Sequence, residues 1–361
     1  MRQALPEAQG EDLLMDRQDS ISIIVPVYNG EATLGLLVRS LTSVMAQLDA
    51  EYEVILVNDG SADSSWGSIE ALARECRTLL GIDLMRNYGQ HNALLAGIRA
   101  ARGGIVVTLD DDLQNPPEEI PKLLAKLAEG YDVVYGTPVQ EQHGLWRDLA
   151  SQVTKLALQS TMGAETAREV SAFRAFRTKL RDAFVGYQGP FVSIDVLLTW
   201  GTKRFASVRV RHDPRQEGTS HYTFRKLVTH ALNMVTGFST LPLQIASIVG
   251  FAFTVFGLLV LLYVIGRYLA EGGSVPGFPF LASLVAILSG AQLFALGIIG
   301  EYLARMHFRM MDRPAFTVRD RVSGSGSGSR ESEADRTEVD ARYAIAGVTR
   351  AQRRGSASDE D

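Results

Sequence analysis

Short apolar runs alternate with amphipathic segments over the first third of the chain. Helical periodicity fills the intervals between these runs, as in residues 31–48 and 116–130. Strands that alternate with helices predict an α/β domain, a mostly parallel sheet with helices on both faces. Ligands of such sheets bind beyond the carboxyl ends of the strands. The runs are SIIVPVY (22–28), YEVILVND (52–59), GIDLMRN (81–87), GIVVTLD (104–110) and YDVVYGT (131–137).

Two later stretches, residues 243–266 and 274–300, contain no charged residue. A helix of about 24 residues is ~36 Å long, enough to cross a hydrocarbon core of ~30 Å. The alternative is a pair of helices buried in a soluble core, but such helices rarely stay free of charge over this length. The sequence therefore predicts two transmembrane helices, at about 243–267 and 276–300, that contact the lipid bilayer.

Basic residues flank the two apolar stretches on one side. The connecting turn (267–273) holds one Arg and one Glu. Because cytoplasmic flanks carry an excess of Lys and Arg, we expect both termini and the α/β domain in the cytoplasm, in a multi-pass inner-membrane protein. The flanking basic residues are Lys203, Arg204, Arg209, Arg211, Arg215, Arg225 and Lys226 before the first stretch, and Arg305, Arg309 and Arg313 after the second.

The remaining segments differ in pattern. Residues 145–200 predict mostly helix, and residues 203–212 predict one further strand. Residues 221–238 have an apolar stripe and a basic beginning, as in a helix that lies in the membrane interface or packs on a core. The expected organisation is a polar leader (1–20), an α/β domain (21–220), a juxtamembrane amphipathic helix (221–241), two transmembrane helices (242–304), a cytoplasmic return segment (305–322) and a disordered tail (323–361).

Composition narrows the function. The net charge of −5 excludes a broadly cationic nucleic-acid binder, so no nucleic-acid partner is expected. The single cysteine, Cys76, forms no intramolecular disulfide, in keeping with a reducing compartment. Small residues such as Gly250 and Gly257 suit packing between subunits, which leaves a homo-oligomer open.

Polar clusters follow three of the predicted strands. Taken singly, such residues are typical of turns and helix caps. Clusters at successive corners of one parallel sheet, however, converge on the same edge and therefore predict a binding site. The clusters are Tyr28, Asn29 and Glu31; Asn58 and Asp59; and Asp110, Asp111, Asp112 and Gln114.

The third cluster carries the most specific chemistry. Asp110 and Asp112 are separated by one residue at the end of an apolar strand. Carboxylates this close repel each other unless a divalent cation compensates them. Mg²⁺ takes one or two carboxylates together with substrate phosphates, so this pair predicts a diphosphate site that uses Mg²⁺ or Mn²⁺.

Taken together, SIIVPVYNGEATL, VNDGSADSS, LDDDLQNPPEEIP and PRQEGTSHYTFRKL, followed by two apolar helices, resemble family-two glycosyltransferases with the nucleotide-diphospho-sugar (GT-A) fold. The resemblance covers residues 20–320 and is to the polyprenyl-phosphate branch. It implies inverting transfer of a hexose from a nucleotide-diphosphate sugar to undecaprenyl or decaprenyl phosphate. The product would serve cell-envelope glycan or glycoprotein modification.

The resemblance also implies roles for single residues. By this resemblance, the donor base and ribose are bound by Pro26, Tyr28, Glu31 and Asp59. The metal ligands are Asp110 and Asp112, with Asp111 and Gln114 beside them. Arg215 and Ser220 close over the donor diphosphate, and Arg147 lies near the acceptor phosphate. We add Arg174 as a second candidate for that phosphate. The family pattern is departed from at Arg168, Glu169 and His221.

The donor sugar stays open. UDP-glucose is favoured and another UDP-hexose comes second, with GDP-mannose as the alternative. A processive polysaccharide synthase usually has a Q-x-x-R-W motif and more membrane helices, which this chain does not have. A non-catalytic membrane adaptor would not need the pair Asp110 and Asp112. A soluble transferase would not need the apolar helices.

The expected orientation can be tested with single cysteines in a Cys76→Ser background. A cysteine at Ser274, in the outward turn, should react with an impermeant thiol reagent in intact cells, whereas a cysteine at Ser323 should not. The opposite labelling pattern would overturn the positive-inside assignment.

Overall fold

The chain forms two compact units. The first contains residues 20–138, 169–189, 192–213 and 314–324, and the second contains residues 241–271 and 277–310. These ranges are the residues that the computed structural model describes. Arg147, Arg215, Ser220 and His221 lie outside them, as does most of the predicted segment 145–200.

An eight-stranded sheet organises the first unit, in the order β7-β5-β6-β4-β1-β2-β3-β8. Pairing is parallel between β1 and β2, β1 and β4, β2 and β3, and β5 and β7. It is antiparallel where β6 meets β4 and β5 and where β8 meets β3. The predicted mostly parallel sheet is confirmed. The strands are β1 (Ile21–Val27), β2 (Tyr52–Asn58), β3 (Leu79–Leu84), β4 (Ile105–Thr108), β5 (Val133–Pro138), β6 (Arg174–Arg177), β7 (Phe205–Val210) and β8 (Val318–Ser323).

Helices cover both faces of this sheet. Side chains of β1 alternate between two apolar clusters, with Ile23 and Val25 on one face and Ile24 on the other. α1, α2 and α4 pack on the first face, and α3 and α5 pack on the second. The helices are α1 (Glu31–Leu48), α2 (Ser65–Glu75), α3 (Gln90–Ala100), α4 (Ile120–Ala128) and α5 (Ile194–Thr199); 3₁₀ turns span Pro117–Glu119 and Thr178–Ala183.

Two strands lie where the sequence predicts something else. β6 falls within residues 145–200, predicted as mostly helical; its Ala175 and Phe176 are buried on opposite faces, which a strand allows and one helical face does not. β8 lies where the sequence predicts a return segment (305–322) and the start of a tail. Its charged sequence, VRDRVS, suits an edge strand that has solvent on its outer side.

The second unit consists of two long helices that contact each other, α6 (Leu241–Glu271) and α7 (Phe278–Met310). Within the described residues, Leu243–Arg267 and Ile287–Ala304 are long and apolar enough to cross a membrane, with mean hydropathies of 2.7 and 1.5. Apart from Ala246, the described side chains of these stretches are exposed or half-buried. The C-terminal pair of apolar helices is thus present, and it is the length and composition of the helices that suit a membrane.

Asp132 joins β5 to the start of β7. Its buried carboxylate accepts two hydrogen bonds from Arg204, from Nε at 2.9 Å and from Nη2 at 2.8 Å, and another from the Thr202 hydroxyl. Burial by itself raises the pKa of Asp132, but the hydrogen bonds and the guanidinium charges of Arg204 and Arg177 outweigh burial and hold this pKa below its ordinary value.

Asp132→Asn should therefore lower the free energy of unfolding at pH 7 by about 1–3 kcal/mol, because charge-assisted hydrogen bonds are lost. A lowered folded-state pKa stabilises the fold above the unfolded value, and this stabilisation disappears as pH falls below the ordinary value of 3.8. Tryptophan-monitored unfolding of the full chain in detergent should show the variant and the wild type converging in that range. Asp182→Asn, at an exposed carboxylate, is the control; a constant difference down to pH 3 would contradict the assignment.

Candidate active site

The first corner of the site follows β1. Asn29 has φ of 54°, a left-handed conformation that Asn tolerates better than most residues, and it turns the chain sharply into α1. The side chain of Tyr28, which precedes it, is 53% exposed. Pro26 lies beyond Ile24, where the pairing of β1 with β4 ends. The corner thus presents an aromatic ring to solvent from a fixed backbone.

The second corner follows β2 and contains Asp59, which is buried. Its carboxylate accepts hydrogen bonds from the backbone amides of Tyr88, at 2.7 Å, and Gly89, at 2.8 Å. Burial raises the pKa of Asp59, and the two amides partly oppose this rise. Gly60 next to it has φ of 63°, and a Cβ there would lie 2.4 Å from the backbone carbon of Arg86. Asp59 therefore joins the β2 corner to the loop that follows β3.

Hydrogen bonds between backbone and side chains connect the first two corners. The amide of Asn29 donates to the Ser61 hydroxyl at 3.0 Å, and the Asn29 side chain accepts from the Ala62 amide at 2.9 Å. The amide of Gly30 donates to the Ser65 hydroxyl at 3.0 Å. The carboxylate of Glu31 accepts from the Ser64 amide at 3.2 Å. The described contacts of Glu31 therefore join α1 to the loop before α2.

The acidic corner follows β4. Asp110 accepts a hydrogen bond from the Gln90 side chain at 2.6 Å, and Asp112 accepts from the Gln114 amide at 3.2 Å. Leu113, which follows these acids, has φ of 58°, which is an outlier for a bulky side chain, and it is buried in the core. Burying Leu113 fixes the turn that presents the acids before it.

Asp111 lies between the β1 corner and the β4 corner. Its Oδ2 lies where a Cβ on Gly30 would be only 2.2 Å away, and the amide of Tyr28 donates to its carboxylate. Within the described residues, Oδ2 is buried and accepts no hydrogen bond. Burial, followed by the charges of Asp110 and Asp112, raises the pKa of Asp111 to about 7. Its Oδ2 atom is thus buried against the β1 corner.

The acidic corner suits a divalent cation that a substrate helps to bind. Among the described residues, no group of three or more Asp, Glu, His or Cys side chains forms a metal site. Asp110 and Asp112 supply two carboxylates, the number that Mg²⁺ commonly takes when phosphate oxygens complete its coordination. The charges of Asp110 and Asp112, which after burial raise the pKa of Asp111, are what a cation would neutralise.

The structure brings together most of the described residues that the sequence predicts for the site. It also adds a corner that sequence reasoning missed, formed by Tyr88, Gly89 and Gln90 after β3. The signal was a glycine and an amide side chain directly after an apolar run, the pattern that marks the other corners. The predicted residues at the shared edge are Pro26, Tyr28, Glu31, Asp59, Asp110, Asp111, Asp112 and Gln114.

The surroundings of Arg174 do not suit the role that the sequence suggests for it, a contact to the acceptor phosphate. Its side chain is 2% exposed and forms an ion pair with Asp195, and its guanidinium lies 5.9 Å from the ring centre of Tyr135. The Tyr135 hydroxyl donates to the same carboxylate at 3.1 Å. Because Asp195 already compensates its charge inside the protein, Arg174 is poorly suited to contact an acceptor phosphate. Its contacts join β6 to α5 and β5.

The close approach of Gly30 to Asp111 gives a test of this geometry. Gly30→Ala should destabilise the full chain by about 1–3 kcal/mol, because the added carbon forces the buried carboxylate to move. Gly67→Ala is the control, since a Cβ at Gly67, in α2, meets no atom within 4 Å and Ala favours a helix. Unfolding curves in denaturant measure both; equal stabilities for the two variants would mean that Asp111 does not lie against Gly30.

Residues 22–185 match the family model described as Glycosyl transferase family 2. A Pseudomonas aeruginosa (strain LESB58) protein named undecaprenyl-phosphate 4-deoxy-4-formamido-L-arabinose transferase is 36% identical over 83% of this chain and 89% of its own length. A protein of the same name from Shewanella sediminis is 37% identical over 87% and 96%. Glucosyl-3-phosphoglycerate synthase of Mycobacterium tuberculosis, solved with Mn²⁺, UDP and phosphoglyceric acid, is 22% identical over 65% of this chain and 82% of its own, with a TM-score of 0.45.

The two named transferases resemble this chain along nearly their whole length, apolar C-terminal region included. The family model covers the part of the sheet that carries the three corners of the site. The chain is therefore a glycosyltransferase of GT-A fold that belongs to glycosyl transferase family 2 and to its polyprenyl-phosphate branch.

Proposed function

We propose that this protein transfers a sugar from a nucleotide-diphosphate donor to a polyprenyl phosphate at the cytoplasmic face of the membrane, with inversion at the anomeric carbon. One observation carries the proposal: the acidic corner of β4 lies against the corner of β1, with the carboxylate of Asp111 under Gly30. A metal-bound diphosphate and its nucleoside need such an arrangement, with cation-binding carboxylates and base-binding groups at one edge of a parallel sheet.

The donor would bind across the β1 and β2 corners. Tyr28 offers an exposed ring for stacking on the base, and Pro26 and Glu31 flank it. Asp59 is fixed by two backbone amides, and its carboxylate oxygens retain acceptor capacity for a base or ribose N–H or O–H group. Asp111 supports the Tyr28 backbone from below.

Asp110 and Asp112 would hold Mg²⁺ or Mn²⁺ together with the donor diphosphate. When bound, the cation would neutralise charge on the departing nucleoside diphosphate. Gln90 orients Asp110 through a hydrogen bond of 2.6 Å, and the Gln114 amide orients Asp112. Arg215 and Ser220, which lie outside the described residues, are proposed to close over the same diphosphate.

The acceptor chemistry favours a phosphate nucleophile. A phosphate monoester is already an anion at pH 7, with a second pKa near 6, so it needs cationic positioning more than a general base. One of its oxygens would form the bond to the anomeric carbon while the bond from that carbon to the diphosphate oxygen breaks and the electron pair leaves with the nucleoside diphosphate. Arg147, also outside the described residues, is proposed to hold this phosphate.

The two apolar helices fit this acceptor, because a polyprenyl chain stays in the bilayer. α6 and α7 contain the two stretches long and apolar enough to cross it. The basic residues that precede α6 suit an anionic headgroup layer on the cytoplasmic side. A processive synthase or a non-catalytic adaptor has no specific observation in its favour.

The identity of the donor sugar is a separate part of the proposal. UDP-glucose is the first donor that we propose, with GDP-mannose as the alternative with a different base. The names of the relatives from Pseudomonas aeruginosa and Shewanella sediminis favour a second candidate, a nucleotide-linked 4-deoxy-4-formamido-L-arabinose. Membranes that contain the protein, given polyprenyl phosphate and each radiolabelled donor in turn, should yield an organic-extractable labelled lipid with one of them. The absence of a product with every donor would contradict the proposal.

Asp112→Asn provides the matched test of the acidic corner. Removing one of two charges that face the diphosphate should lower transfer by about 100-fold or more, because the metal supplies several kcal/mol of charge stabilisation. The variant should retain the unfolding temperature of the wild type. Asp49→Asn is the control, since Asp49 is an exposed left-handed residue that Asn replaces readily. Full transfer by Asp112→Asn in membranes treated with EDTA would exclude the role.

A further inference from the structure

The strand that follows the two apolar helices forms one edge of the sheet beside the donor corners. β8 pairs antiparallel with β3, with Asp320 opposite Asp83. Hydrogen bonds extend this pairing at both ends, from the Met85 amide to the Thr317 carbonyl at 2.9 Å and from the Gly324 amide to the Leu79 carbonyl at 3.1 Å. The chain thus returns to the sheet next to β3, and the loop that follows β3 binds the carboxylate of Asp59.

Arg319, in this strand, makes polar side-chain contacts with β3 and the residue after it. Its Nη1 donates to Asp83 Oδ2 at 3.2 Å, and its Nη2 donates to the Met85 carbonyl at 2.7 Å. The Asp83 side chain is only 2% exposed, whereas that of Arg319 is 55% exposed. A carboxylate so well buried needs compensation, and Arg319 provides a cation from the solvent side.

A first path leads from Asp83 to the donor corners. Asp83 Oδ1 accepts from the Asn58 side-chain amide at 2.7 Å, inside the protein. This contact fixes the amide orientation, because only its nitrogen donates to a carboxylate, and so its oxygen accepts from the Ser61 amide at 3.3 Å. The Ser61 hydroxyl in turn accepts from the Asn29 amide, in the corner that presents Tyr28.

A second path leads through the loop after β3. Arg319 donates to the carbonyl of Met85, and the next residue is Arg86. Gly60 packs against the Arg86 backbone so closely that a Cβ on Gly60 would lie 2.4 Å from the Arg86 carbonyl carbon. The same loop continues to Tyr88 and Gly89, whose amides bind the Asp59 carboxylate. Both paths end at the β1 and β2 corners, which are proposed to bind the donor nucleoside.

We infer that Arg319 is a positioning residue for the donor: through Asp83 and the Met85 carbonyl, it holds the β2 corner and the loop after β3 in the geometry that binds the nucleotide. The inference rests on the proposed function. It makes the segment after the apolar helices a working part of the donor site, with an effect on donor affinity and little on the chemical step.

The test uses the full-length chain in nanodiscs. Calorimetry measures binding of UDP and of GDP in the presence of Mn²⁺, and steady-state assays give the donor KM and kcat. Arg319→Gln should weaken nucleotide binding and raise the donor KM by about five- to twenty-fold, with kcat within about two-fold of wild type. Arg319→Lys should fall between, because one ammonium group cannot reach both acceptors in the way that the guanidinium fork does.

Arg321→Gln is the matched control. It removes the same charge from the same strand, and within the described residues Arg321 forms no ion pair. Asp83→Asn combined with Arg319→Gln should raise KM no further than the larger single effect, because both changes interrupt one path. Should Arg319→Gln fail to fold, the graded loss in Arg319→Lys still decides the matter.

The outcomes separate the two proposals. A wild type that binds either nucleotide, with Arg319→Gln and Arg319→Lys binding it equally well, overturns the inference alone. A lower unfolding temperature with unchanged KM gives Arg319 a purely structural role and overturns it too. A wild type that binds neither UDP nor GDP defeats the proposed function, and the inference with it.

Discussion

The carboxylate of Asp111 lies buried beneath the backbone of the β1 corner, and the geometry of the site depends on how this charge is accommodated. Gly30 leaves room for it, and the amide of Tyr28 donates to it. Asp59 is accommodated in the same way by the amides of Tyr88 and Gly89. Carboxylates held by backbone amides pull separate loops together at one edge of the sheet, because unpaired buried charge is costly.

This arrangement explains why a single sheet edge suits both halves of a nucleotide-diphosphate sugar. The parallel strands β1, β2 and β4 end at this edge, so residues far apart in the chain meet there without long loops. Hydrogen bonds between backbone and side chains brace the β1 and β2 corners, whereas the β4 corner has three adjacent carboxylates. The β1 and β2 corners suit a nucleoside, and the β4 corner suits a cation with its diphosphate. The nucleophile would then be an anionic group of the acceptor itself.

The sequence predicts strands β1 to β5 well because each is a short apolar run that is buried in the sheet. It predicts helices α1 and α4 well because their apolar residues recur with the helical period and face the core. It does not predict β6 or β8, which are short, carry arginines and become strands only by pairing with neighbours. The acidic and asparagine-rich corners are recognisable, but the Tyr88–Gln90 corner is not, since it depends on Asp59 to fold back. The sequence also does not reveal the environment of Arg174, because nothing in it indicates that Asp195 compensates the charge of this arginine.

The identity of the nucleophile is the point on which the proposed function depends most. The most direct measurement compares initial rates of transfer to polyprenyl phosphate and to the matching polyprenol, with the same protein, donor and Mn²⁺ in nanodiscs. If the phosphate oxygen is the nucleophile, the phosphate lipid should be labelled and the alcohol should give no product above background, because its hydroxyl has a pKa far above 7 and would need a general base. Equal rates with the two lipids would contradict the mechanism.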